Sequence, residues 1–132
     1  MKIIQPSHEI LSPINGEYIL KLLESAGRTC YKSECNITSD SASKFIQMIL
    51  HQYKHESVIE HFSFTVKFIC DRGVSHELVR HRLSSFSQES TRYANYSKDK
   101  FGSEITVIDP RGAFTLTTEE FQLWENTMLF CE

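Results

Sequence analysis

No stretch of this 132-residue sequence is apolar for long enough to cross a bilayer, and no leading apolar run marks a secretion signal. A cytoplasmic protein with no membrane contact is therefore expected. Cys30, Cys35, Cys70 and Cys131 are irregularly spaced with no Cys-x-x-Cys pair, so neither a disulfide framework nor a zinc-type spacing is indicated and reduced thiols are expected. Internal repeats and low-complexity tracts are absent. Excess positive charge is absent too: the formal net charge is -3, whereas a general nucleic-acid binder spreads basic residues over a whole face. A small anionic ligand suits the composition better.

What is there is enough for one globular domain spanning residues 1–132, with 40% hydrophobic residues to build a core. Charge is uneven. Residues 71–100 hold six basic and four acidic side chains, while 101–132 hold one against six. The middle is locally basic and the end acidic.

Hydropathy patterning predicts mixed helix and strand. Lys2 to Gln5 reads as a short strand stopped by Pro6, and Pro13 to Gly16 as a turn into a helix with Ile19, Leu20, Leu22, Leu23 and Ala26 on one face, ended by Gly27. A second helix starts near Ser39-Asp40 and carries Phe45, Ile46, Ile49, Leu50 and Tyr53 at helical spacing. From His61 the period becomes two, which puts Phe62, Phe64, Val66, Phe68 and Cys70 on one strand face. Val74 to about Arg82 reads as a short helix with its basic residues in the last turn, followed by a serine-rich loop. Glu104 to Ile108 alternates as a strand, and Thr117-x-x-Glu120 forms a capping box for a helix with Phe121, Trp124, Met128 and Cys131 on its apolar stripe. That last pattern carries no stop signal, so the sequence reads as part of a longer chain.

Six histidines invite a metal site, but His55-Glu56 with His61 and His76-Glu77 with His81 have the wrong intervals. Helical residues six and five apart point ~240° and ~140° away from each other, not to one metal. No metal is expected. Cys70 sits on an apolar face, where a thiol is buried and inert, and the serines lack the Gly-x-Ser-x-Gly elbow that exposes a nucleophile.

Residues 80–92 are the chemically dense segment: Arg80, His81, Arg82 and Arg92 stand with four serines, Gln88 and Glu89 in thirteen positions. Guanidinium forks stay charged at any working pH and repel each other unless an anion compensates. Extended backbone would point Arg80 and Arg82 to one side. Forks and hydroxyls suit phosphate, and amide and carboxylate suit the edges of a base or ribose. The ordinary alternative is a solvated helix end. A second polar group, residues 55–61, precedes the strand that leads to the basic segment, and its ordinary alternative is a solvated turn.

On these residues the chain resembles the flavin-dependent thymidylate synthases, whose signature is Arg-His-Arg, seven residues, then Ser. Here that is Arg80-His81-Arg82, Leu83 to Glu89, and Ser90, continued by Arg92-Tyr93, with His55-Glu56 to Glu60-His61 upstream and Ser25 to Tyr31 earlier still. The resemblance implies an α+β fold of antiparallel strands packed with helices, and methylation of dUMP to dTMP. Methylenetetrahydrofolate would supply the carbon and NADPH the reducing equivalents, with FAD as hydride carrier. It further implies FAD contacts from Ser57, Arg80, His81, Arg82 and Gln88. Glu77, Arg80, Gln88, Glu89, Ser90, Thr91 and Arg92 would surround dUMP.

His55 falls where the family lines its flavin and folate region. Ser57 replaces the commoner threonine and keeps the hydroxyl, and whether Gln88 or Glu89 faces the base stays open. Family members continue past the position of Glu132 with more flavin contacts and an arginine that polarises uracil, and they assemble as homotetramers with shared sites. Two other readings stay open, a noncatalytic nucleotide-binding or interaction module of the same fold and a small RNA binder stacking bases on Phe86 and Tyr93.

Overall fold

The computed structural model describes residues 1–90, 92–94, 96, 98, 100 and 102–131. The chain forms two compact units, a central one of Glu9–Lys67 and a terminal one of Met1–His8 with Phe68–Glu132.

The central unit holds the apolar core. Its first helix, α1 (Gly16–Thr29), opens where the Asn15 side chain accepts from the Tyr18 N–H at 2.9 Å, with Glu17 in the first turn and Arg28 in the last to suit the helix dipole. The helix does not end at Gly27 as the sequence suggests. Gly27 faces inward, where a Cβ would stand 2.8 Å from Phe45 Cε1 and 3.1 Å from Cζ, so the glycine permits close helix approach instead of terminating the helix. Helix α2 (Ser41–Gln47) follows Asp40 and widens into a π turn over Met48–Gln52, which closes when the Tyr53 N–H donates to Met48 O at 3.2 Å. The second helix read from the sequence is thus α-helical to Gln47 and continues as a π turn to Gln52.

Leu23, Phe45, Ile46 and Ile49 form the buried cluster, flanked by Ile19, Leu20, Met48, Leu50, Val58 and Phe62. Each fully buried aliphatic or aromatic side chain contributes ~1.5–3 kcal/mol. One charge lies inside with them. Glu24 is 1% exposed, and its carboxylate accepts from Arg28 Nε at 2.7 Å and from Ser41 Oγ at 2.9 Å, which ties the start of α2 to α1.

The strand read from His61 onward is shorter than its pattern. Glu56–His61 is a 3-10 turn, and only Val66–Ile69 (β3) is strand, paired with β2 (Ser7–Ile10) in a two-stranded sheet. Phe64 and Phe68 are 55% and 54% exposed. A period-two pattern marks a face fit for burial, but a two-stranded ribbon brings no second layer of its own, and the pairing stays short.

In the terminal unit β1 (Lys2–Ile4) pairs with β4 (Thr106–Ile108), Lys2 opposite Thr106 and Ile4 opposite Ile108. The pair is parallel, not antiparallel as expected; the long intervening chain provides the crossover that parallel pairing requires. Just past β4, the buried Asp109 carboxylate accepts from the Arg111 N–H at 2.9 Å, Arg111 Nη2 at 2.7 Å and Gln5 Nε2 at 3.1 Å. The Arg111 bond, first among these, holds the Asp109 carboxyl down at about 2. Arg111 in turn lies 4.0 Å over the Phe121 ring of the last helix, α4 (Thr118–Cys131). The capping box forms as read: Glu120 accepts from the Thr117 N–H at 2.8 Å, and the Glu120 N–H donates to Thr117 Oγ1 at 3.3 Å. Phe121, Trp124 and Met128 are half-buried; the Cys131 side chain lies outside the described residues. Among the described residues of this unit no hydrophobic side chain is fully buried.

Candidate functional site

The basic segment grows out of helix α3 (Arg72–Leu78), which Asp71 caps by accepting from the Val74 N–H at 3.0 Å. The helix stops at Leu78, so the arginines are not in its last turn. They follow it in successive tight turns, in which the Arg80 N–H donates to Glu77 O, the His81 N–H to Leu78 O and the Ser84 N–H to His81 O, each at 3.1 Å. The extended spacing considered for Arg80 and Arg82 is therefore not adopted. A chain of turns leaves side chains outside, and Glu77, Arg80, His81, Arg82, Gln88 and Glu89 are all exposed.

The loop beyond is tied back at one point. Gln88 Nε2 donates to Ser75 Oγ at 2.7 Å, and Ser75 Oγ donates to Arg72 O at 3.1 Å, which fixes the amide against α3 and leaves Gln88 Oε1 without a donor among the described residues. Ser90 is half-buried and anchors the next turn, accepting at its carbonyl from the N–H groups of Tyr93 and Ala94 and at Oγ from the Arg92 N–H at 3.3 Å. Thr91 lies outside the described residues. Among the described residues no carboxylate stands within ion-pair distance of Arg80, Arg82 or Arg92. Three unpaired guanidinium groups with hydroxyls and an amide fit the phosphates of a nucleotide or of FAD.

His55 and Ser57 belong to the central unit, whereas residues 77–92 belong to the terminal one. The His55 N–H donates to Ile49 O at 3.1 Å, and Nδ1 of its ring lies 3.4 Å from Tyr31 Oη, with the Tyr53 ring centroid 5.9 Å away. Ser57 is exposed in the 3-10 turn that follows. Cys70 is half-buried, and its thiol is pushed up first by burial and then by the Asp71 charge, which disfavours a nucleophilic role. The sequence reading did not connect Ser75 with Gln88, or Tyr31 and Tyr53 with His55. Ser75 lies thirteen residues from Gln88 and Tyr31 twenty-four from His55, so no local pattern marks either pair.

The family described as thymidylate synthase complementing protein matches residues 17–131. Among curated relatives, the flavin-dependent thymidylate synthase of Geobacter sulfurreducens is 33% identical over 113 residues, covering 80% of this chain and 46% of the relative. That of Clostridium tetani is 36% identical over 90 residues, covering 61% and 35%, and that of Thermococcus kodakarensis is 52% identical over 61 residues, covering 46% and 24%. The chain thus spans less than half the length of these relatives. No solved structure matches it. With exposed, unpaired forks where the signature stands and a family match over nearly the whole chain, the protein belongs to the thymidylate synthase complementing protein family, alongside enzymes named flavin-dependent thymidylate synthase.

Proposed function

We propose that this chain carries the nucleotide- and flavin-binding part of an enzyme that methylates dUMP to dTMP. Methylenetetrahydrofolate would be the carbon donor and NADPH the reductant, in a cytoplasmic homotetramer of the flavin-dependent thymidylate synthase fold with shared sites. The observation that carries this reading is the run of Arg80, Arg82 and Arg92, which has no carboxylate partner among the described residues and stands inside the family match. FAD, when bound, supplies the hydride-carrying chemistry that no side chain offers.

The protein's own groups bind and orient. Arg80 and Arg82, with His81 between them, offset phosphate charge, and Ser57 adds a hydroxyl on the flavin side. Ser90, Thr91 and Arg92 hold the nucleotide phosphate by charge-assisted and hydroxyl hydrogen bonds. Gln88, held by Ser75, presents a carbonyl oxygen suited to a donor edge such as a pyrimidine N3–H, which favours Gln88 over Glu89 as the base-facing residue. Glu77 closes the dUMP side, and His55 borders the flavin and folate region.

The visible spectrum of the purified complete protein tests the proposal. A bound-flavin spectrum, with dUMP-dependent oxidation of the reduced flavin by methylenetetrahydrofolate, supports it. A colourless protein that takes up no added FAD overturns it, and flavin binding without turnover favours the noncatalytic module.

A further inference from the structure

Ser75 lies in the middle of α3, upstream of the basic segment, and each of its polar groups is engaged. Its N–H donates to Asp71 O at 3.1 Å, its carbonyl accepts from the Val79 N–H at 3.3 Å, and its hydroxyl donates to Arg72 O at 3.1 Å. A backbone carbonyl can only accept, so the hydroxyl proton is committed to the helix and Oγ offers Gln88 only lone pairs. The sense of the next bond follows from that. Facing an acceptor at 2.7 Å, the Gln88 amide brings its nitrogen to Ser75 and carries Oε1 on the far side, where no donor meets it among the described residues.

An amide holds a donor and an acceptor of nearly equal size, so turning it over exchanges the two with almost no change in shape. Here the turn has a cost. The hydroxyl would have to leave Arg72 O in order to donate to Oε1, and losing one neutral hydrogen bond favours the observed orientation about fivefold. The difference matters to a pyrimidine. Uracil carries a hydrogen on N3 and meets an acceptor well, whereas cytosine has a bare lone pair at N3 and would face Oε1 acceptor to acceptor.

We infer that Ser75 is a positioning residue for base selection: by fixing the sense of the Gln88 amide it presents an acceptor to N3 of the bound pyrimidine and favours uracil over cytosine nucleotides. Ser75 itself touches no substrate. This role rests on the base contact proposed for Gln88, and it adds the group that sets the polarity of that contact.

Calorimetric titration of the flavin-loaded complete protein with dUMP, and with dCMP by competition, tests this in the parent, Ser75→Ala, Ser75→Thr, Gln88→Glu and the Ser75→Ala/Gln88→Glu double variant. The expected result is a preference for dUMP that falls about fivefold in Ser75→Ala, the share one neutral hydrogen bond supplies, with dUMP weakened and dCMP strengthened as the amide turns freely. Ser75→Thr keeps a hydroxyl able to donate to Arg72 O and is expected to restore the preference. In the Gln88→Glu background both side-chain oxygens accept, so removing the hydroxyl releases no orientation and the preference is expected to hold. A purely structural serine would lower both affinities together and act alike in both backgrounds. An unchanged ratio or undetectable dCMP binding in Ser75→Ala, no restoration by threonine, or an equal fall in the Gln88→Glu background overturns the role of Ser75 alone. A parent that binds no dUMP overturns the function proposed for the segment, and this role with it.

Discussion

Replacing Gly27 with alanine sets two effects of opposite sign against each other. In a solvated helix interior the change from Gly to Ala stabilises by ~0.8–1 kcal/mol. Here the new methyl would stand 2.8 Å from Phe45 Cε1, 3.1 Å from Cζ and 3.4 Å from Val58 Cγ1. The Phe45 ring is 6% exposed and has the Arg28 guanidinium 4.5 Å from its centroid, so moving it disturbs a second contact. Overpacking of this kind costs ~1–3 kcal/mol, and a disturbed cation–π contact adds ~0.5–1 kcal/mol. The clash outweighs the propensity, and Gly27→Ala is expected to destabilise the chain by about 1–2 kcal/mol.

Urea unfolding followed by circular dichroism reads this as a lower midpoint with an unchanged slope. Gly16→Ala is the control, since nothing lies within 4 Å of its added methyl. Adding Phe45→Leu to Gly27→Ala is expected to recover part of the loss. A Gly27→Ala protein as stable as its parent, or more so, would refute the close approach of α1 to Phe45.

Removing one partner of the buried pair is expected to be worse than removing both. Arg28→Met leaves Glu24 uncompensated at 1% exposure and is expected to cost ~3–5 kcal/mol, with Arg28→Met/Glu24→Gln closer to the parent in the same urea assay. Asp109 sets an acid limit on the terminal unit. Its folded carboxyl sits at about 2, below the ordinary 3.8, so its stabilisation is fully present above pH 3.8 and is lost as pH falls through 2. Asp109→Asn is expected to abolish that part of the pH dependence between about pH 4 and 2, measured by thermal unfolding across pH; an unchanged acid limb would contradict the Arg111 clamp.

Local chemistry made some elements legible. The turn before α1 and the Thr117–Glu120 box rest on contacts within a few residues and appear as read, whereas the strand read over Glu104 to Ile108 narrows to Thr106–Ile108, the part that pairs with the distant β1. Gly27 misled because a glycine near a helix end reads as a stop, and only the distant Phe45 explains its inward position. Phe64 and Phe68 misled because alternation encodes a face fit for burial without encoding the layer that covers it. The signature residues were legible as residue types in a fixed order. Their turns, the Ser75 anchor of Gln88 and the tyrosines beside His55 come from contacts distant in sequence.

The central claim is that the guanidinium run grips phosphate, and the most direct measurement is calorimetric titration of the flavin-loaded complete protein and its Arg80→Ala variant with dUMP. The account predicts binding by the parent that weakens with rising salt, and a loss of about 30-fold, roughly 2 kcal/mol, in the variant. Equal affinity in the two proteins would contradict it and return Arg80 to a solvated turn.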